Sequence, residues 1–113
     1  MRPASTEQDL PPAAKTDFEL AKETKDLAAK DYSAKNYDKA CEKYFQIINI
    51  VRTNDSLKAS ASGKELNSQA RLNIALCKLT TKEYDVAIDQ CERVLDVEPA
   101  NWKAAFRLAT AMY

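Results

Sequence analysis

The feature that most constrains this chain is the spacing of apolar residues between Tyr37 and Val51. Tyr37, Ala40, Cys41, Tyr44, Ile47, Ile48 and Val51 stand at offsets 0, 3, 4, 7, 10, 11 and 14, which is the one-sided stripe of an amphipathic helix. The same offsets recur at Tyr84, Ala87, Ile88, Cys91, Val94 and Leu95. A helix face written twice points to an internal repeat, in which neighbouring units bury their stripes against one another. Sliding the sequence by 47 aligns residues 27–51 with 74–98 without a gap and matches Ala28 to Ala75, Lys35 to Lys82, Tyr37 to Tyr84, Asp38 to Asp85 and Ala40 to Ala87.

Composition narrows the class further. The 113 residues suffice for one small domain with one modest core. A single Gly, with abundant Ala, Lys, Glu and Leu, favours an all-α chain over a β-architecture with its many tight turns. Lys plus Arg and Asp plus Glu both total 17, a balance that argues against nucleic acid and against an anionic membrane surface as partners. No apolar run approaches the roughly 18 residues of a membrane span. Histidine is absent, which removes the commonest general base and the commonest metal ligand. The odd set Cys41, Cys77 and Cys91 has no C-x-x-C spacing, and these residues are expected as core thiols in a reducing compartment, with no metal, no cofactor and no catalytic site. The opening residues carry no apolar signal-peptide core, so the expected location is cytoplasmic.

Along the chain, residues 1–15 hold Pro3, Pro11 and Pro12 among small polar residues and read as a disordered leader. Thr16-Asp-Phe-Glu19 has the form of a capping box and sets the expected first helix at 17–34. Further helices are expected at 37–54, 64–80, 83–96 and 101–113, each antiparallel to the one before. The turn-rich stretch 55–64 is expected as a polar insertion.

A second register supports the repeat. At a shift of 34, Leu72-Asn73-Ile74-Ala75 lines up with Phe106-Arg107-Leu108-Ala109, and 34 residues is the length of the tetratricopeptide (TPR) unit, two antiparallel helices joined by a tight turn. Ala28/Tyr37/Ala40 and Ala75/Tyr84/Ala87/Pro99 resemble the TPR pattern of a small residue, an aromatic, an Ala three positions on, and a closing Pro. The resemblance covers about residues 18–113. It implies a TPR domain over 16–113, with repeat one at about 17–54, repeat two at about 65–98 and the first helix of a third repeat at 101–113. The small residues should let paired helices approach, with Tyr37 and Tyr84 filling the space near each turn.

Leu72-Asn-Ile-Ala-Leu-Cys-Lys-Leu79 followed by Asn101-Trp-Lys-Ala-Ala-Phe-Arg107 resembles, more narrowly, the TPR domains of FKBP-type immunophilin co-chaperones. In the carboxylate-clamp members of that group, a groove lined by the first helix of each unit holds the Glu-Glu-Val-Asp C-terminus of heat shock protein 90 or heat shock protein 70. Carried over by position, the clamp comprises Lys25, Asn73, Lys103 and Arg107. One turn after the lysine, where the family often has Asn, this chain has Ala29, which offers no donor. Lys103 and Arg107 are one helical turn apart, so both cations can face one groove. The alternative reading is a TPR adaptor or scaffold that takes a different partner without a clamp, in which Lys-x-x-x-Arg is a solvated face. Trp102, after an N-cap expected at Asn101, is expected to pack at the repeat junction. The apolar positions Phe106, Leu108, Ala109 and Met112 lack a following helix, which makes self-association through the last helix a further expectation.

Overall fold

Two adjacent prolines begin the first helix. In the computed structural model, which describes residues 10–113, α1 spans Pro12–Ser33 with Pro11 at its N-cap. Proline is favoured there because its fixed φ suits the helix and its missing N–H is one that the first turn leaves unpaired anyway. The helix thus starts ahead of the expected position. Thr16 lies inside it and its hydroxyl donates to the Pro12 carbonyl (3.0 Å), so the capping box does not form. Leu10, Ala14 and Phe18, spaced by four, supply the apolar stripe that holds this turn to the core. The expected leader is therefore corrected at residues 10–15, and its first nine residues lie outside the described residues.

α2 spans Tyr37–Thr53, α3 Asp55–Ala59, α4 Ala61–Thr80, α5 Tyr84–Val97 and α6 Trp102–Met112. Among the described residues these are six helices and no strand, one helix more than expected. The additional helix, α3, occupies the stretch expected as a polar insertion. Its anchor is Leu57, which is fully buried against α1, α2 and α4. Asn54 caps α3 by accepting from the Leu57 amide (3.0 Å), and it donates to Asp17 of α1 (2.8 Å). Ser60 caps α4 by accepting from the Gly63 amide (2.9 Å) while donating to the Leu57 carbonyl (2.7 Å).

Three-residue turns join α1 to α2 and α4 to α5, and short turns of this kind fold the helices back antiparallel. The two turns are built alike. Lys35 and Lys82 have φ of 65° and 62°, the left-handed conformation at the position that ends a helix. The Asn36 amide donates to Asp31 and the Lys35 amide to Tyr32; the Glu83 amide donates to Lys78 and the Lys82 amide to Leu79. Both helices thus close with the same pair of reverse hydrogen bonds, and the Lys35–Lys82 match in the sequence coincides with the strained backbone position.

Packing follows the small residues. Ala28, Ala40, Ala75 and Ala87 are all fully buried, which lets neighbouring helices approach closely. One core cluster joins α1, α2, α3 and α4, and two smaller ones sit around α4, α5 and α6. Tyr37 packs edge-on against Tyr32 with ring centroids 5.3 Å apart. Tyr84 departs from the expected role, since its side is open and the residue is exposed. Cys41, Cys77 and Cys91 are free and buried. Burial raises the Cys91 thiol pKa, with the nearby Arg107 charge opposing, and Cys77 is raised by its hydrogen bond with Cys41 and then by burial.

Candidate functional site

The sequence-predicted site residues fall on α1, α4 and α6, and α4 touches both of the others. Lys25 is half-buried on α1 and its ammonium donates to Gln69 Oε1 of α4 at 2.7 Å. Gln69 in turn donates from Nε2 to Glu65 one turn earlier (3.1 Å). Asn73 stands one helical turn after Gln69 on the same face of α4, half-buried. Arg107 of α6 donates from its guanidinium to the Leu72 carbonyl, the residue next to Asn73, at 2.8 Å. Two hydrogen bonds thus tie α1 to α4 and α4 to α6 on either side of Asn73.

Lys103, one turn before Arg107, is exposed, with its ammonium 5.9 Å from the centre of the Trp102 ring. A cleft of about 470 Å³ opens between α4 and α6, lined by Leu76, Leu79 and Thr80 on one wall and by Trp102, Lys103, Phe106 and Arg107 on the other. Trp102 is 71% exposed on this wall, which corrects the expectation that it packs at a repeat junction. Its neighbour Asn101 does cap α6, accepting from the Ala104 amide at 3.0 Å. Ala104 then takes the buried position facing α4 and α5, and that rotation turns Trp102 and Phe106 outward. Leu108, expected on the open face, instead packs against the cluster of Ala75, Ala87 and Cys91.

The chemistry available on this face is hydrogen-bond donation. Lys25, Asn73, Lys103 and Arg107 offer N–H groups from three helices beside an apolar cleft, and Ala29 is exposed on α1 without a polar atom to add. Among the described residues no group of three or more His, Cys, Asp or Glu side chains could hold a metal ion, and no helix is long and apolar enough to cross a membrane.

Comparison with solved structures decides the fold. The C-terminal TPR-containing domain of a Plasmodium falciparum chain named as an FK506-binding protein superposes with a TM-score of 0.75, covering 94% of this chain and 71% of that one at 21% identity. The fold is that of a TPR domain. The chain is also 27% identical over 95 residues to the Hsp70/Hsp90 co-chaperone CNS1 of Saccharomyces cerevisiae. That match takes in 84% of this chain but 22% of the relative, so the chain spans under a quarter of the relative's length. No family model matches the chain.

Two participants in the candidate site depend on tertiary structure. Gln69 carries no motif, and its tie to Lys25 spans 44 positions. The cleft between α4 and α6 depends on how α6 is rotated, although the spacing of Leu76, Leu79 and Thr80 at i, i+3 and i+4 was a signal for a shared face.

Proposed function

We propose that this TPR domain is a co-chaperone binding module that holds the acidic C-terminal peptide, ending Glu-Glu-Val-Asp, of heat shock protein 90 or heat shock protein 70. The observation that carries the reading is the run of donors across three helices, from Lys25 through Asn73 to Arg107 and Lys103, alongside an apolar cleft. A peptide end with adjacent carboxylates needs several converging cations, and an extended peptide with one apolar side chain needs a neighbouring hydrophobic recess. The similarity to a co-chaperone supports the same partner class. The domain then acts by binding rather than by catalysis, in the cytoplasm, where three unpaired buried thiols are stable.

In this reading Lys103 and Asn73 bind the terminal carboxylate and Arg107 bridges to an acidic side chain while keeping its bond to Leu72. Lys25 leaves or shares Gln69 to reach the peptide. With Ala29 contributing no donor, affinity is modest, on the order of micromolar, or about −8 kcal/mol. The test is a calorimetric titration with a peptide ending in Glu-Glu-Val-Asp, run beside the same peptide amidated at its C-terminus. Loss of binding on amidation supports the clamp. Equal affinity for both forms overturns it in favour of an adaptor whose partner docks without a free carboxylate.

A further inference from the structure

The face of α4 turned away from Gln69 and Asn73 carries a second concentration of donors. Lys64, Asn67 and Arg71 recur at i, i+3 and i+7, so they form one stripe on that face. Ile48, Val51 and Arg52 from the end of α2, together with Lys58 of α3, complete a cleft of about 250 Å³ around the stripe. Four of its seven lining residues are cationic and none is acidic, in a chain whose charges balance overall.

The cations in the cleft are not neutralised. Lys58 and Lys64 are exposed, and their side chains have no hydrogen-bond or ion-pair partner among the described residues. Arg52 and Arg71 donate only to neutral amides, Asn49 Oδ1 at 3.0 Å and Gln90 Oε1 at 2.8 Å. Burial lowers the Arg71 pKa and the charge of Arg93 lowers it further, with Asp89 opposing. Asp89 is itself paired with Arg93 at 3.0 Å, and Glu65 and Glu98 line the adjoining cavity rather than this one. Lys64 also lies in the opening part of α4, where the first turn holds no acidic residue and the helix dipole is positive. Like charge is therefore gathered against like charge, and a bound anion would relieve all of it together. Asn67 adds a different request, because its Oδ1 is buried with no donor.

We propose that this cleft binds a compact phosphate-bearing small molecule, its phosphate oxygens taken by Arg52, Lys58, Lys64 and Arg71. Several cations at one point suit a group of at least two negative charges with oxygens in several directions, which phosphate is and a single carboxylate is not. Ile48 and Val51 give the floor an apolar surface for the body of the molecule, and Asn67 Oδ1 can accept from one of its hydroxyl groups. Three separate helices wall the cleft, which limits it to a small ligand rather than an extended chain. This site is independent of the peptide groove, because the two lie on opposite faces of α4.

The probe is inorganic pyrophosphate, titrated into the isotopically labelled chain and followed through its amide resonances, with ionic strength held constant by sodium chloride. The expected result is saturable shifts at Lys58, Lys64, Asn67 and Arg71 below roughly 1 mM. The double variant K58A/K64A, which alters exposed side chains and leaves the fold intact, should weaken the response about tenfold or more. Arg71→Gln should weaken it as well, with its stability measured beside it because Arg71 also holds Gln90. Shifts no larger than those from matched sodium chloride, or an unchanged response in the double variant, overturn the proposal. So does a response seen only with vesicles containing a phosphoinositide and not with pyrophosphate, which would assign the cations to a membrane surface. Binding of the Glu-Glu-Val-Asp peptide should be the same in K58A/K64A as in the parent chain, so failure of either site is read separately.

Discussion

A Cβ built on Gly63 would stand 1.8 Å from the Leu57 carbonyl oxygen. The end of α3 is laid directly over the first turn of α4, and only a residue without a side chain fits beneath it. Leu57 is pulled into that position by full burial, and Ser60 locks it by bonding both the Leu57 carbonyl and the Gly63 amide. The single glycine of the chain is therefore required by close approach rather than by an unusual φ. Gly63→Ala should destabilise the domain by about 1–3 kcal/mol or more, since the contact is with backbone and cannot be relieved by a rotamer. Urea denaturation followed by circular dichroism measures it, and a variant as stable as the parent would show that α3 is free to lift off.

The left-handed lysines make the opposite prediction. Lys82 has φ of 62°, which costs a residue with a Cβ about 1 kcal/mol that glycine does not incur. Lys82→Gly should leave stability unchanged or raise it by up to about 1 kcal/mol, the gain being trimmed by glycine's greater freedom in the unfolded chain. Lys82 is exposed, so little packing is lost. Thermal unfolding of Lys82→Gly and Lys35→Gly should give changes of the same sign, and a clear destabilisation at both would contradict the turn geometry.

In the peptide groove, Lys103 is the cleaner position for mutation. It is exposed and holds no helix in place, whereas Arg107 also bonds the Leu72 carbonyl. Lys103→Ala should weaken binding of the Glu-Glu-Val-Asp peptide by roughly 1.5–3 kcal/mol with the melting temperature unchanged. Arg107→Ala should weaken binding by a similar amount and also lower stability, by about 1 kcal/mol, through the lost tie between α4 and α6. Raising salt should reduce the parent's affinity and narrow the gap between the parent and Lys103→Ala. Calorimetry across a salt series reads both effects, and an unchanged affinity in Lys103→Ala removes that residue from the site.

Alkaline pH should expose a buried phenol. Burial pushes the Tyr44 pKa up to about 12 from its ordinary 10, with the neighbouring cysteines adding to the shift. The neutral phenol is thus favoured in the folded state. Its contribution is complete below about pH 10, where the unfolded chain's tyrosine is still protonated, and it is lost as pH rises through 12. A rise from 10 to about 12 corresponds to at most about 2.7 kcal/mol. The stability of the parent relative to Tyr44→Phe, read from denaturation curves, should fall over this interval, because the phenylalanine variant has no group to ionise at that position. Parallel curves would show that Tyr44 titrates normally.

What the sequence determined by itself was whatever depends on neighbours along one helix. The offsets from Tyr37 to Val51 and from Tyr84 to Leu95 produced two amphipathic helices, the buried alanines Ala28, Ala40, Ala75 and Ala87 marked the close contacts, and Asn101 announced the cap of α6. These are matters of spacing and residue size, which a helix reads one turn at a time. Tertiary structure decided what needs a partner from elsewhere. Thr16 could have capped α1, but Leu10 and Phe18 found a core and the helix began at Pro12. The stretch 55–64 was polar enough for a loop, but the burial of Leu57 between other helices turned part of it into α3. Lys25 met Gln69 across 44 positions, and Arg52, Lys58, Lys64 and Arg71 met around one cleft, because helices crossing at close range bring together residues that no local pattern relates.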